Sequence, residues 1–312
     1  MKQLRGVFLL TLTALIWGVS FVAQSAAADD IAPFTFIAVR SILASVFLFL
    51  IIVFRELSSV ISKKSNLSVL PSQISSCLFN KRNLIGGLFC GIAITAATNF
   101  QQFAITAYPS GVAASGRTAF LTATYVIMIA AVSIFTGKKL HISTIIAAVV
   151  CLCGMYLLCM SNGVGGVYSG DLLALICAVG FTFHICIIDR FSDADALTVS
   201  FLQFFFCGIV SLILALIFQS VSFESIFNAR IMLAYSGIMS AGVGYTLQFI
   251  GQKTAPPSIA SIAMSLESVF AAIAGWILLG EFLSFPEICG CALVFIAVIF
   301  AQLPQFKKNK NA

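Results

Sequence analysis

The chain has 312 residues, of which 60% are hydrophobic and 9% charged, and its mean hydropathy is +1.08. Soluble domains contain about 25% charged residues, so this composition excludes an ordinary water-soluble protein and indicates a chain embedded in a lipid bilayer. The net charge is +6, but it comes with no nucleic-acid-binding motif, and we expect no nucleic-acid partner.

Apolar segments separated by charges, prolines and glycines predict about ten membrane-spanning helices, each of roughly 20 residues. The predicted fold class is therefore an all-α polytopic membrane protein. In chain order the predicted spans are residues 5–26, 33–53, 84–107, 110–134, 141–160, 169–189, 195–218, 230–252, 257–279 and 285–303.

Short matches occur in the same order in both halves of the chain, beginning with "ALIWGVSF" (14–21) and "ALICAVGF" (174–181) and continuing with Gln102-Phe103 and Gln248-Phe249. The match at 14–21 indicates that the first apolar segment belongs to the fold and is not a cleaved signal peptide. An odd number of spans in each half predicts an inverted repeat, as in secondary transporters. We divide the chain into repeat 1 (1–162) and repeat 2 (163–312), each with five helices.

Basic residues predict the orientation of the chain. With the N-terminus in the cytoplasm, the lysines and arginines of the loops fall on the cytoplasmic side, and Arg230 alone falls outside, in agreement with the positive-inside rule. We therefore predict a multi-pass protein of the plasma membrane, of bacterial type, with both termini in the cytoplasm.

The connection at about residues 54–83 is long for a compact bundle. Its apolar residues beside Lys63 and Lys64 suit a segment that lies on the membrane surface, and a solvated loop is the alternative. Because no sustained helical period appears, we favour the solvated loop.

Two arginines lie at similar depth in the predicted second and fourth spans. Arg40 is seven residues beyond Pro33 and Arg117 eight beyond Pro109, which places each about 10 to 12 Å from the outer boundary at about 1.5 Å per residue. An anionic or zwitterionic substrate group bridging them would relieve their repulsion, with Arg117 as the stronger candidate. Alternatively, each binds carbonyls of a neighbouring helix or extends towards the lipid headgroups.

Amide and aromatic side chains form a second set of candidates for substrate binding. Such groups at membrane depth are typical of a small-molecule pocket, although aromatic residues also form interfacial belts and pack helices. The set comprises Trp17, Phe21, Asn99, Gln102, Tyr125, Tyr245, Gln248 and Trp276.

Glu267 and His184 are the candidates for ion coupling. Glu267 is ten residues beyond Pro257, about 15 Å along a helix and near the centre of the bilayer. An ionised carboxylate there costs at least about 2.5 to 3.5 kcal/mol, so it either exchanges a proton during transport or stays protonated in a fixed hydrogen bond. His184, near the inner face, either relays protons or packs within the bundle.

The sequence indicates no cofactor and no metal site. Its ten cysteines lie mostly in apolar segments, and it has only two histidines, so the ligand spacing of a metal site is missing. A phosphate-binding G-x-x-x-x-G-K-[ST] motif is also missing, and we expect any energy for transport to come from an ion or substrate gradient.

Several segments resemble the drug/metabolite transporter (DMT) superfamily in its EamA-like branch: "LIWGVSFV", "RSILA", "SGRTAFLTATYV" and "SLESVFAAIAGWILLGE". The resemblance implies ten helices in two five-helix repeats, a central cavity, and carriage of small metabolites, often outward. That family commonly has Glu-Pro in the ninth helix, where this chain has Glu267-Ser268.

The function that we predict is a secondary transporter, an exporter or permease, for small metabolites such as amino acids or related organic compounds. It would work by alternating access and without catalysis. Its expected partners are the substrate, the lipid bilayer and protons as coupling ion, and the oligomeric state is left open. The alternatives are an intramembrane lipid-modifying enzyme and a membrane sensor or binding protein without flux.

The predicted orientation can be tested with reporter domains. A reporter fused after Lys310 and one inserted near Lys64 should both report the cytoplasm, and one near Gly165 should report the exterior, because the basic loops then face inward. An exterior C-terminus would contradict both the ten-span count and the inverted repeat.

Overall fold

The computed structural model describes residues 2–64, 66–109, 114–137, 141–160, 167–279 and 284–310. Gly165 and the predicted boundary between the repeats lie outside these described residues. Across the described ranges the chain is helical and has no β-strand, so the predicted all-α fold class is confirmed.

The helices follow one another with short connections. In chain order they are α1 (Lys2–Ala27), α2 (Pro33–Ser62), a 3-10 helix (Leu67–Val69), α3 (Leu70–Leu78), α4 (Lys81–Thr106), α5 (Ala114–Ala123), α6 (Tyr125–Phe135), α7 (Ile142–Met160), α8 (Ser169–Arg190), α9 (Ala196–Phe218), α10 (Phe223–Asn228), α11 (Arg230–Ala234), a π-helix (Tyr235–Gly244), α12 (Tyr245–Gln252), α13 (Pro257–Met264), α14 (Leu266–Leu279) and α15 (Phe285–Lys310).

Among the described residues, seven stretches of helix are long and apolar enough to cross a membrane, and two shorter apolar helices lie within α7 and α15. These nine stretches correspond to nine of the predicted spans. The remaining span, 230–252, is helical but is divided into α11, the π-helix and α12. The apolar segments therefore became helices where hydropathy placed them.

Three predicted spans are interrupted within the bundle, and the fourth of the ten breaks at Thr124, between α5 and α6. The π-helix in the eighth span is held by α1, because Trp17 Nε1 donates to the Ser240 carbonyl at 3.3 Å and Thr13 Oγ1 to the Gly244 carbonyl at 3.2 Å. The ninth span breaks at Ser265, between α13 and α14. Such irregular backbone inside a membrane is tolerated where it is buried in protein or lines a cavity.

The connection at 54–83 differs from the solvated loop that the sequence favoured. α2 continues to Ser62, and α3 forms a further short helix, whose nine residues are too few to show a helical period in the sequence. Large apolar side chains remain exposed around it: Ile61 at 64%, Leu67 at 61% and Phe79 at 72%. This pattern favours the alternative of a segment on the membrane surface.

Small residues bring the central helices into close contact. α1 packs against α14, α12 and the π-helix, while α2 packs along α9, and α4 packs along α8 and α9. At Gly18 a Cβ atom would lie 2.8 Å from the Glu267 carbonyl oxygen, so only glycine allows α1 to approach the start of α14 so closely. Glu267 is thereby fixed against α1.

An ion pair closes the N-terminal end of the bundle, where α1 begins and α8 ends. Arg55 Nη1 of α2 donates to Asp195 Oδ1 and Oδ2 at 2.9 and 3.0 Å, and Asp195 caps α9 by accepting from the backbone N–H of Thr198 at 3.0 Å. Burial disfavours the charged form of Asp195. The hydrogen bonds from Thr198 and the charge of Arg55 outweigh this effect and lower the pKa of the carboxyl. We call this contact the Arg55–Asp195 latch.

The opposite end of the same helix pair is joined without charge. Gln219, directly after α9, accepts hydrogen bonds at its Oε1 from the backbone N–H of Thr35 at 3.2 Å and from its hydroxyl at 3.3 Å. The α2–α9 pair is therefore held by an ion pair at one end and by neutral hydrogen bonds at the other.

We expect Asp195→Asn to lower stability modestly, because asparagine keeps the helix cap but removes the negative charge. Both side chains of the latch are about one-third exposed, so screening by water limits the loss to about 0.5 to 1 kcal/mol. Since the folded pKa of Asp195 is lowered, its stabilisation is complete above the unfolded value of about 3.9 and disappears as the pH falls through the folded value.

Thermal unfolding in detergent at a series of pH values tests this expectation. The difference between wild type and Asp195→Asn should be present near neutral pH and vanish in acid. Asp193→Asn is the matched control, because Asp193 pairs with Arg82 in an exposed position and contributes little there. Equal effects of the two variants would contradict the assignment.

Candidate functional site

A cavity lies within the bundle, and the space between its atoms is about 420 Å³, a figure that includes open solvent at the mouth. Its wall combines side chains from α1, α2, α4, α6, α8, the π-helix, α12, α13 and α14. The lining residues are Trp17, Ser20, Phe21, Gln24, Arg40, Gln101, Tyr125, Phe181, Ile185, Ser240, Tyr245, Gln248, Met264 and Glu267.

Aromatic rings form much of this wall. The rings of Trp17 and Tyr245 lie 4.6 Å apart, and those of Tyr125 and Phe181 meet edge to face at 6.4 Å. Together with Phe21 they give the cavity broad apolar faces. Such faces suit the apolar part of a small ligand, which the few polar groups would then orient.

Arg40 supplies a positive charge to the wall. It is 2% exposed, and its Nη1 donates to Gln24 Oε1 at 3.2 Å, while Gln24 Nε2 donates back to the Ser20 carbonyl at 3.3 Å. No carboxylate of the described residues forms an ion pair with it. A buried cation with only a neutral neighbour is well placed to bind an anionic group.

Glu267 supplies the opposite charge. It lies in the first turn of α14, is 4% exposed, and forms neither an ion pair nor a hydrogen bond with any residue that the structure describes. The Tyr125 hydroxyl and Gln248 Oε1, on the same wall, are buried without a hydrogen-bond partner in the described part of the chain. Buried polar atoms are normally satisfied, so this part of the wall requires water, a proton or a ligand.

The structure brings seven of the predicted residues together in the cavity wall: Trp17, Phe21, Arg40, Tyr125, Tyr245, Gln248 and Glu267. Gln102 and Asn99 do not reach it. Gln101 takes the place of Gln102, since one residue turns an α-helix by about 100°. Asn99 instead joins two helices, with Nδ2 donating to Ser211 Oγ at 2.9 Å.

Arg117 is paired elsewhere, which removes the basis for a ligand shared with Arg40. Its Nε and Nη2 donate to the Asp171 carboxylate at 2.5 and 2.7 Å, and its guanidinium lies 4.8 Å from the Tyr168 ring. Tyr108 also donates to Asp171 at 2.9 Å. The group neutralises its own charges and joins α5 to the start of α8, so the geometry makes Arg40 the stronger candidate for binding.

His184 and Trp276 also lie away from the wall. His184 is fully buried, its Nε2 is 2.9 Å from Gln203 Oε1, and its ring meets that of Tyr245 at 5.7 Å. Trp276 is 50% exposed on the outside of the bundle, as expected of an aromatic residue that contacts lipid.

Sequence reasoning missed Ser20, Gln24, Gln101, Phe181, Ile185, Ser240 and Met264 as lining residues. One signal was available: Trp17, Ser20, Phe21 and Gln24 follow the spacing i, i+3, i+4, i+7, which places them on one face of a helix. A polar face within an otherwise apolar span indicates a side turned to the interior.

Comparisons with known proteins cover nearly the whole chain. The EamA-like transporter family matches residues 4–160 and 168–302. An "Uncharacterized transporter" of Archaeoglobus fulgidus is 28% identical over 312 residues, covering 97% of this chain and 87% of that protein. "Uncharacterized transporter YoaV" of Bacillus subtilis is 25% identical over 316 residues, covering 99% of each.

A solved crystal structure shares the fold, with a TM-score of 0.70, 16% sequence identity, and coverage of 96% of this chain and 98% of that one. The resemblance predicted from the sequence is thus confirmed, and with it a multi-pass protein embedded in a membrane. The chain belongs to the EamA-like transporter family.

Proposed function

We propose that this transporter is a secondary carrier for small zwitterionic or anionic metabolites with an apolar part, such as amino acids and related compounds, and that the central cavity binds them. The observation that carries the proposal is the presence of Arg40 and Glu267 in one buried wall, each without an ion partner among the described residues. Burying a lone charge costs several kcal/mol, and a ligand of opposite charge offsets that cost.

The chemistry of the wall favours this substrate class. The guanidinium of Arg40 matches the planar geometry of a carboxylate, and Gln24 fixes one of its N–H groups. The carboxyl group of Glu267 suits an ammonium group or a proton. Trp17 and Tyr245 offer aromatic faces to an apolar side chain. A molecule with a carboxylate, an ammonium group and an apolar side chain can therefore contact all three kinds of group in the wall.

Alternating access is the mechanism that this architecture supports best. The cavity is lined by interrupted helices, which are typical of binding sites in secondary transporters, and Gly18 lets α1 pack closely against the start of α14 beside it. The α2–α9 pair also has a different contact at each end. Breaking the contact at one end of this helix pair while the other stays intact would open the cavity on one side of the membrane only.

The positions of the two coupling candidates favour transport over an intramembrane lipid-modifying enzyme. Such an enzyme needs its acid and base groups in one site. Glu267 lines the cavity, whereas His184 is hydrogen-bonded to Gln203 and is not among the lining residues. A sensor that binds without flux has the same cavity and is distinguished only by experiment.

Purified protein in liposomes tests the proposed function against both alternatives. A panel of amino acids and organic acids is offered with and without a proton gradient. A carrier redistributes an unchanged solute, an enzyme changes it chemically, and a sensor gains thermal stability from a ligand without moving it. Absence of flux for every solute would contradict the proposal.

We expect Arg40→Gln to weaken the transport of carboxylate substrates about 10- to 100-fold, chiefly through KM, because hydrogen bonds to charged groups contribute about 1.5 to 3 kcal/mol. Arg117→Gln is the matched control. It leaves Asp171 without its cation, although the hydrogen bonds from Tyr108 and the Tyr168 backbone remain, so it should cost about 1.5 to 3 kcal/mol of stability and reduce the amount of folded protein. Reduced abundance of Arg40→Gln with normal KM would assign Arg40 to packing instead.

We further expect Glu267→Gln, which keeps the shape and a hydrogen-bond donor, to fold normally and to exchange substrate across the membrane. It should fail to accumulate substrate against a gradient, because the amide cannot take up or release a proton. Counterflow and proton-driven uptake in the same liposomes separate the two activities. Wild-type accumulation with unchanged pH dependence would show that Glu267 only donates a fixed hydrogen bond.

A further inference from the structure

Two hydrogen-bonded polar pairs occupy corresponding positions in the two halves of the chain. In the first half Arg40 of α2 donates to Gln24 of α1 at 3.2 Å. In the second half His184 of α8 and Gln203 of α9 are joined at 2.9 Å. Each pair links the first long helix of its half to the second.

The register of the sequence makes these positions equivalent. Gln24 lies ten residues beyond Ala14 in the segment "ALIWGVSFVAQ", and His184 lies ten beyond Ala174 in "ALICAVGFTFH". Arg40 is the eighth residue of α2, and Gln203 is the eighth of α9. The register of α1 against α8 and that of α2 against α9 therefore both place the two polar pairs at equivalent positions.

Nearby residues follow the same register. Phe21 and Phe181, each seven residues beyond the matched alanine, both line the cavity. The cavity thus lies between equivalent faces of α1 and α8.

Only the first pair reaches the cavity in this conformation. Gln24 and Arg40 line it, whereas His184 and Gln203 are 0% and 2% exposed and do not. The next residue, Ile185, is part of the wall, and the ring of Tyr245, another wall residue, lies 5.7 Å from the His184 ring. His184 Nδ1 is buried without a hydrogen-bond partner in the described part of the chain, which is uncommon for such an atom.

In an inverted-repeat carrier the two halves exchange roles when the cavity changes sides. We propose that His184 and Gln203 form a second polar subsite, which lines the cavity when it opens to the N-terminal end of the bundle, while Gln24 and Arg40 withdraw from it. This inference rests on the proposed alternating access. The second subsite offers the substrate carboxylate an amide and an imidazole in place of a guanidinium, so it holds that group less strongly and favours its release.

The chain provides its own reporter, because His141 and His184 are its only histidines. In a His141→Gln protein, His184 is the single histidine, and mass spectrometry of the peptide that contains it measures the rate at which diethylpyrocarbonate modifies the imidazole. Asp195→Asn and Arg55→Gln weaken the Arg55–Asp195 latch at the end of the bundle where His184 lies. We expect each to raise the modification rate about two- to fivefold, because loss of a partly exposed ion pair changes the population of a minor conformation by no more than that.

Gln219→Ala is the matched control, since it removes the contact at the opposite end and should leave His184 protected. In a protein with Gln24→His, His141→Gln and His184→Gln, the single histidine is at position 24, which is equivalent to position 184 in the other half. In this background Gln219→Ala should increase the modification rate of the histidine, and Asp195→Asn should not. Size-exclusion chromatography in detergent confirms that each variant is folded before it is compared.

The outcomes separate this inference from the proposed function. If the His141→Gln protein transports solute but His184 stays unreactive in both latch variants, the second subsite is wrong and the carrier function stands. If the two reporters respond oppositely but no solute moves, the paired subsites are supported and transport is contradicted. If both reporters respond alike to every variant, the exchange of roles between the halves is contradicted.

Discussion

The cost of placing charge inside a lipid bilayer determines how the rest of this structure is arranged. A charged side chain at the bilayer centre costs at least about 2.5 to 3.5 kcal/mol. Arg117 meets this constraint by pairing with Asp171 at the start of α8. Arg40 and Glu267 meet it by facing a shared cavity. The bundle therefore leaves space where two charges need water, a proton or a ligand, and that space is its candidate site.

Equivalent positions of the two halves differ in charge, and this difference has a physical consequence. Arg40 and Gln203 are each the eighth residue of their helix, and the α2–α9 pair is joined by the ion pair of Arg55 with Asp195 at one end and by neutral hydrogen bonds of Gln219 at the other. Under the alternating access that we propose, the two orientations of the cavity would differ in free energy, because the contacts that close its two ends differ.

Hydropathy alone predicted the helical spans well, because the free energy of transferring about 20 apolar residues into lipid exceeds most local preferences. It could not predict which residues meet. Arg117 and Asp171 are 54 positions apart, and nothing in either segment identifies the other. Gln101 rather than Gln102 lines the cavity, because the rotation of α4 depends on packing against α8 and α9, and an error of one residue turns the side chain away.

The break at Ser265 explains how a helix can present a carboxyl group at this depth. No proline follows Glu267, where this chain has Ser268, yet the predicted ninth span is still interrupted. Ser265 takes part in the break, since its hydroxyl donates to the Ile262 carbonyl at 2.6 Å and contacts Cys151 Sγ at 2.8 Å. Glu267 then falls in the first turn of α14, where the helix dipole favours negative charge. The interruption thus offsets part of the cost of an ionised carboxylate that lipid opposes, in agreement with the proton exchange that we propose for Glu267.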